Sequence, residues 1–229
     1  MSSQIPVVEL HDVSKIYTLD KKRSVTAVRG INLSVAKGDF FVITGRSGCG
    51  KTTLLNLISG LTGPTSGEVL LDDVAVWKLS DQEQSLLRNR KIGFVFQFPS
   101  LMPALTALEN VALPTIVEGK EDRSAVLERA KNLLVEVGLG DKIDAYPRQL
   151  SAGQQQRVVV ARALINHPEI LLADEPTSNL DEQTEHEIMG LIQQIHSQRG
   201  ITILLVTHTE ELVPYGTRSL RMAGGEIVA

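Results

Sequence analysis

Apolar positions along this chain fall into two rhythms, which together predict alternating strands and helices. Residues 40–44, 169–173 and 202–206 are apolar at nearly every position. Continuous apolar runs of that length belong to strands buried on both faces of a sheet. Residues 7–13 and 27–35 read instead as half-buried strands, the second with clear alternation. Helical stripes lie between these segments. Leu54, Leu55, Ile58 and Leu61 share one 3.6-residue stripe, as do Ile188, Leu191, Ile192 and Ile195. Gly60 and Gly200 stand where left-handed helix stops are expected. Strands alternating with helices imply an α/β core on a parallel sheet.

The middle third breaks the alternation. Ser80 with Glu83, and Thr106 with Glu109, have the spacing of a reciprocal helix cap. Residues 122–137 form an amphipathic helix, with Val126, Ala130, Leu133 and Leu134 on one side and Gly138 ending it. From Pro99 to Pro147 only helical patterns occur. One domain over 1–229 is therefore expected, with an α/β core in 1–98 and 155–229 and an inserted helical subdomain in 99–154. The tail reads as a hairpin turning at Gly224 and Gly225. The basic run Lys21, Lys22, Arg23 reads as a solvated loop between strands.

Composition narrows the picture without changing it. Apolar residues make up 42% and charged residues 22%, which excludes disordered and fibrous classes. The longest apolar runs have four residues, against the roughly 20 needed to span a bilayer. The opening residues carry neither a basic stretch nor an apolar core, so no secretory leader is expected. A single cysteine, Cys49, allows no internal disulfide and suits a reducing cytoplasm. The net charge of −4 argues against a dedicated nucleic-acid binder.

Three local patterns carry chemistry. Gly45, Arg46, Ser47, Gly48, Cys49, Gly50, Lys51 and Thr52 fit the phosphate-loop spacing GxxxxGK[ST], between a buried strand and an amphipathic helix. Glycines let the backbone amides turn inward as an anion nest, and the helix that follows, with Thr53 in its first turn, points its positive end at the phosphates. Lys51 places a compact charge there, and the Thr52 hydroxyl can ligate Mg²⁺. Cys49 reads as a small residue tolerated in the loop; a thiol whose oxidation blocks nucleotide binding is the alternative. The second pattern is an apolar strand ending in Asp174 and Glu175, where an open α/β sheet gathers its ligands. Asp174 is placed to hold Mg²⁺, and Glu175 to polarise an attacking water. His208, ending the strand 202–207, is a further candidate near the same edge, whereas His11, His167, His186 and His196 read as ordinary structural or surface residues. The third pattern is Leu150, Ser151, Ala152, Gly153, Gln154: Ser151 caps a helix whose N-terminus Gly153 leaves bare for a second anion.

In company with the phosphate loop, that third pattern resembles the signature of the ATP-binding-cassette (ABC) ATPases, and the resemblance runs nearly end to end. It implies a P-loop NTPase (RecA-like) core with an N-terminal antiparallel β subdomain and an inserted helical subdomain. It makes Tyr17 the aromatic on which adenine stacks and Gln97 the residue that touches Mg²⁺ or the lytic water. Ser178, Asn179, Leu180 and Asp181 match the loop after the acidic pair, which places Asp181 among the nucleotide-binding residues, and His208 becomes the switch histidine. The second signature position is usually glycine in the family and here is Ala152, which bears on the efficiency of closure. The family further implies a head-to-tail homodimer. Each ATP then lies between one chain's phosphate loop and the other chain's Ser151, Gly153 and Gln154. Ala173, Asn179 and the stretch after Gln97 are similar to the lipoprotein-release, macrolide-export and cell-division-associated group, whose partners are transmembrane permease subunits. In that stretch Phe98, Pro99, Leu101, Met102 and Leu105 either pack inside the helical subdomain or receive a cytoplasmic helix of the permease. The chain would then sit at the cytoplasmic face of the inner membrane. Nothing in the sequence separates a transport motor from an ATP-driven regulator that moves a membrane protein without carrying a solute.

Overall fold

The computed structural model describes residues 6–20 and 23–228. The chain begins with β1 (Pro6–Asp20), β2 (Arg23–Ala36) and β3 (Phe40–Thr44), then α1 (Lys51–Ile58), β4 (Ser66–Leu71), β5 (Val74–Ala75) and α2 (Asp81–Lys91). Next come β6 (Ile92–Val95), α3 (Ala107–Glu118), α4 (Arg123–Glu136) and α5 (Ala152–Leu164). It closes with β7 (Ile170–Asp174), α6 (Glu182–Arg199), β8 (Thr202–Thr207), β9 (Arg218–Ala223) and β10 (Glu226–Val228). These elements divide into two compact units, residues 1–88 with 200–229, and residues 89–199.

In the first unit, β2, β1, β4 and β5 form an antiparallel sheet in that order. A second layer sets β3 parallel to both β8 and β9, with β10 closing a hairpin on β9. Every residue of β3 and of β8 is buried, as their unbroken apolar runs require. The hairpin turns at Gly224 and Gly225, both left-handed, at the expected place. Strand content exceeds the expectation. β1 and β2 run well past residues 7–13 and 27–35 because their polar ends still pair with each other. β4 and β5 were not expected at all. The helical stripe also ends early: α1 stops at Ile58, Gly60 turns left-handed at φ 72, and Leu61 is 52% exposed. Lys21 and Lys22 of the basic run lie outside the described residues.

In the second unit, β6 pairs parallel with β7, Val95 opposite Ala173. Helices α3, α4 and α5 fill the connection between these strands, and residues 99–147 hold no strand, as expected. Each helix starts on a readable cap. Thr106 and Glu109 bond reciprocally at the head of α3, and Ser151 and Gln154 do the same at α5. Asp122 caps α4, which ends at the left-handed Gly138.

Candidate functional site

The phosphate loop is a connection that only glycine can make. At Gly50 the backbone has φ 108, and an added Cβ would lie 2.1 Å from the Ala27 carbonyl oxygen. At Gly45 it would lie 2.4 Å from the Met222 carbonyl oxygen. The loop is thus wedged between β2 and the C-terminal hairpin. Backbone bonds complete the wedge: Gly225 N–H donates to the Cys49 carbonyl at 3.0 Å, and Arg29 N–H to the Gly225 carbonyl at 2.8 Å. Helix α1 has Gly50 at its N-cap, no side-chain cap and no acid in its first turn. Its N-terminal amides keep their positive end for an anion. Lys51 is buried, and its ammonium donates to the carbonyls of Gly45 at 2.7 Å and Arg46 at 3.3 Å. Thr52 is exposed and Thr53 half-buried in the same turn. A cavity of about 420 Å³ opens beside the loop, with Arg46, Ser47 and Cys49 on one wall and Arg221 and Met222 on the other.

His208 stands close by through strand register. Thr44 of β3 pairs with Thr207 of β8, so Gly45 and His208 leave adjacent parallel strands side by side. The Thr209 N–H donates to the Thr207 hydroxyl at 3.0 Å, shaping the turn that carries the exposed His208. Tyr17 lies on the antiparallel sheet, 37% exposed, with the Lys15 ammonium 5.1 Å from its ring centroid. Its register partner is Val25, itself 50% exposed, and directly paired residues share a face. That Val25 shares the Tyr17 face was not foreseen, because the second strand was expected to begin at Ala27. The contributions of Arg221 and Met222 were missed as well; they are far from the loop in sequence and no local signal marks them.

In the second unit, Asp174 is buried at the end of β7. Glu175 follows with φ 44, a left-handed conformation that costs a non-glycine residue about 1–2 kcal/mol. Strain of that kind collects at functional turns. Gln97 leaves β6 at the same edge, and its amide donates to the Ser178 hydroxyl at 3.2 Å, tying it to the loop after the acidic pair. Past Gln97 the chain is pinned from behind: Arg162 donates to the carbonyls of Ser100 and Pro99, both at 3.0 Å. Burial lowers the pKa of that guanidinium from its usual value. Asn110 is fully buried; it donates to three carbonyls over Met102–Thr106 and accepts from the Met102 N–H at 2.7 Å. On this fixed backbone Phe98 is 64% and Met102 50% exposed.

Ser151 and Gln154 are engaged with each other, the Gln154 N–H donating to Ser151 Oγ at 3.2 Å and the Ser151 N–H to Gln154 Oε1 at 3.0 Å. Gly153 is buried between them and α6. Asp181 caps α6: its carboxylate accepts from the Thr184 N–H at 3.0 Å and the Thr184 hydroxyl at 2.7 Å. Those two bonds hold its carboxyl below the usual carboxylate range.

Thr52, Gln97 and Asp174 offer the hard oxygen donors that Mg²⁺ prefers. No group of three or more His, Cys, Asp or Glu gathers among the described residues.

Residues 28–178 match the ABC transporter family. Over 222 residues the chain is 43% identical to the lipoprotein-releasing system ATP-binding protein LolD of Syntrophus aciditrophicus, covering 97% of this chain and 98% of that protein. It is 45% identical over 223 residues to the macrolide export ATP-binding/permease protein MacB of Syntrophobacter fumaroxidans, covering 96% of this chain and 31% of that one. Among solved structures, a dimeric post-hydrolysis state of the ATP-binding cassette MJ0796 bound to ADP and Pi superposes with a TM-score of 0.89 at 41% identity, covering 97% of each chain.

Proposed function

Since the chain belongs to the ABC transporter family, as one of its ATP-hydrolysing cassettes, we propose that it powers a membrane permease by closing as a homodimer around ATP. The similarity to LolD and MacB supports export or lipoprotein extraction as the coupled work. The cassette then acts at the cytoplasmic face of the membrane.

Each side chain has a defined task in this reading. The loop amides and Lys51 hold the phosphates, the substrate replacing the loop carbonyls that Lys51 now contacts. Tyr17, with Val25 beside it, stacks against the base. When bound, Mg²⁺ neutralises phosphate charge, with Thr52, Asp174 and Gln97 as its protein oxygens. Glu175 takes the proton of the attacking water, and His208 and Gln97 hold that water in line. Ser151, Gly153 and Gln154 of the second copy close over the same ATP, while Asp181 acts through the cap it makes on α6. The exposed Phe98 and Met102, on a backbone fixed by Arg162 and Asn110, receive the permease.

One observation carries the reading: the phosphate loop and His208 leave adjacent parallel strands at matched register, so the anion nest and a histidine share one edge. Glu175→Gln tests it. The variant should keep ATP bound yet lose turnover by roughly 10²–10⁴, the usual scale of a general base. Normal turnover would reassign the base.

A further inference from the structure

Two helices of the second unit meet at a glycine. A Cβ built on Gly153, in the first turn of α5, would lie 2.5 Å from Thr184 Cγ2, in the first turn of α6. Carbon atoms do not approach so closely, so either a helix shifts or Thr184 rotates. Rotation is opposed. The hydroxyl on the same carbon donates to Asp181 Oδ2 at 2.7 Å, and the Thr184 N–H donates to Asp181 Oδ1 at 3.0 Å. Withdrawing the methyl by turning χ1 breaks the hydroxyl–carboxylate bond, because both groups leave Cβ in fixed staggered directions. The helix itself makes no demand for glycine. Gly153 does not lie in the left-handed region, and alanine is the better helix former.

The neighbouring residue tightens the same junction. Glu185 accepts from the Thr177 hydroxyl at 2.6 Å, and Thr177 is buried two residues beyond the strained Glu175. The first turn of α6 therefore holds the loop that follows the acidic pair, through Thr177 and Asp181, and bears on the start of α5, through Gly153.

We propose that Thr184 is a positioning residue: locked by Asp181, it seats the Gly153 end of α5, so that this end and the loop 175–181 keep one register. The proposal rests on the shared-ATP reading above and adds to it. In that reading alone, the glycine is required by the phosphate held in the other copy. Here it is required by Thr184 within the same chain as well.

One double-mutant cycle separates the two requirements. Gly153→Ala, Thr184→Ser and their combination are assayed for ATP turnover, each Gly153→Ala form against its own parent. Thr184→Ser keeps the hydroxyl for Asp181 and removes the opposing methyl. Gly153→Ala should lower kcat on both parents, since the glycine also closes over the shared ATP, but the loss should be about tenfold larger on the Thr184 parent than on the Thr184→Ser parent, with this extra loss in kcat and not in KM, since coupled residues depart from additivity. Equal losses on both parents, or no loss on the Thr184 parent, would overturn the proposal. Should Gly153→Ala be too unstable to purify, the cycle is read in recovered folded protein and Tm. Restoration by Thr184→Ser is then expected, and its failure counts against Thr184. A parent chain with no turnover at all would count against the shared-ATP reading instead, and the Tm cycle would still decide the role of Thr184.

Discussion

At the scale of single residues, the tightest constraints are steric and electrostatic, and they can be checked one atom at a time. Gly50 combines a left-handed φ of 108 with a 2.1 Å approach to the Ala27 carbonyl. Gly50→Ala should cost at least about 2 kcal/mol through backbone strain alone. In a chain of this size that is a fall in Tm of roughly 4–8 °C, measurable by calorimetry, together with loss of ATP binding. Asp181 gives a pH signature. Its carboxyl is held low by the Thr184 N–H and hydroxyl, so its contribution to stability is complete above the ordinary carboxylate pKa of about 3.9 and lost as pH falls through the lowered folded value. The Tm deficit of Asp181→Asn relative to the unsubstituted chain should be constant between about pH 6 and 8 and shrink below about pH 4. A deficit that grows in acid would contradict this. The single-residue chemistry was the most legible part of the sequence, since Lys51, Asp174, Glu175 and His208 are each announced by the strand or loop around them.

Elements were legible where their signals are local. Thr106 and Ser151 each stand where a cap was expected, because a capping side chain bonds only three residues away. Ser151→Ala should therefore cost about 1 kcal/mol by thermal or urea unfolding, a loss separate from any effect on turnover. Leu61 was misplaced because periodicity alone does not sense that Gly60 has already turned the chain. The strands β5 and β6 were missed because they have only two and four residues, and the six-residue β4 because it opens on Ser66 and Gly67 and shows no continuous apolar run. Long-range pairing explains Val25, which joins Tyr17 only through hairpin register. The loop after Gln97 owes its shape to one buried amide. Asn110→Ala strands the Leu105 carbonyl and the Met102 N–H, at a cost of roughly 2–4 kcal/mol. Faster proteolytic cleavage within residues 98–106 should accompany the loss; unchanged cleavage would show that other contacts hold the loop.

For the molecule as a whole, the candidate site residues divide between the two units. The first unit carries the phosphate loop, His208 and Tyr17; the second carries Gln97, the acidic pair and the helix start at Ser151. Among the described residues no helix is long and apolar enough to cross a membrane; in the proposed function the exposed Phe98 and Met102 receive the permease. The central claim is that ATP is the joint between two copies. Light scattering on the Glu175→Gln chain, with magnesium and with or without ATP, tests it most directly. The account predicts a monomer without ATP and a dimer of twice the mass with it, abolished when Lys51 is also replaced. A mass that ATP leaves unchanged would contradict it.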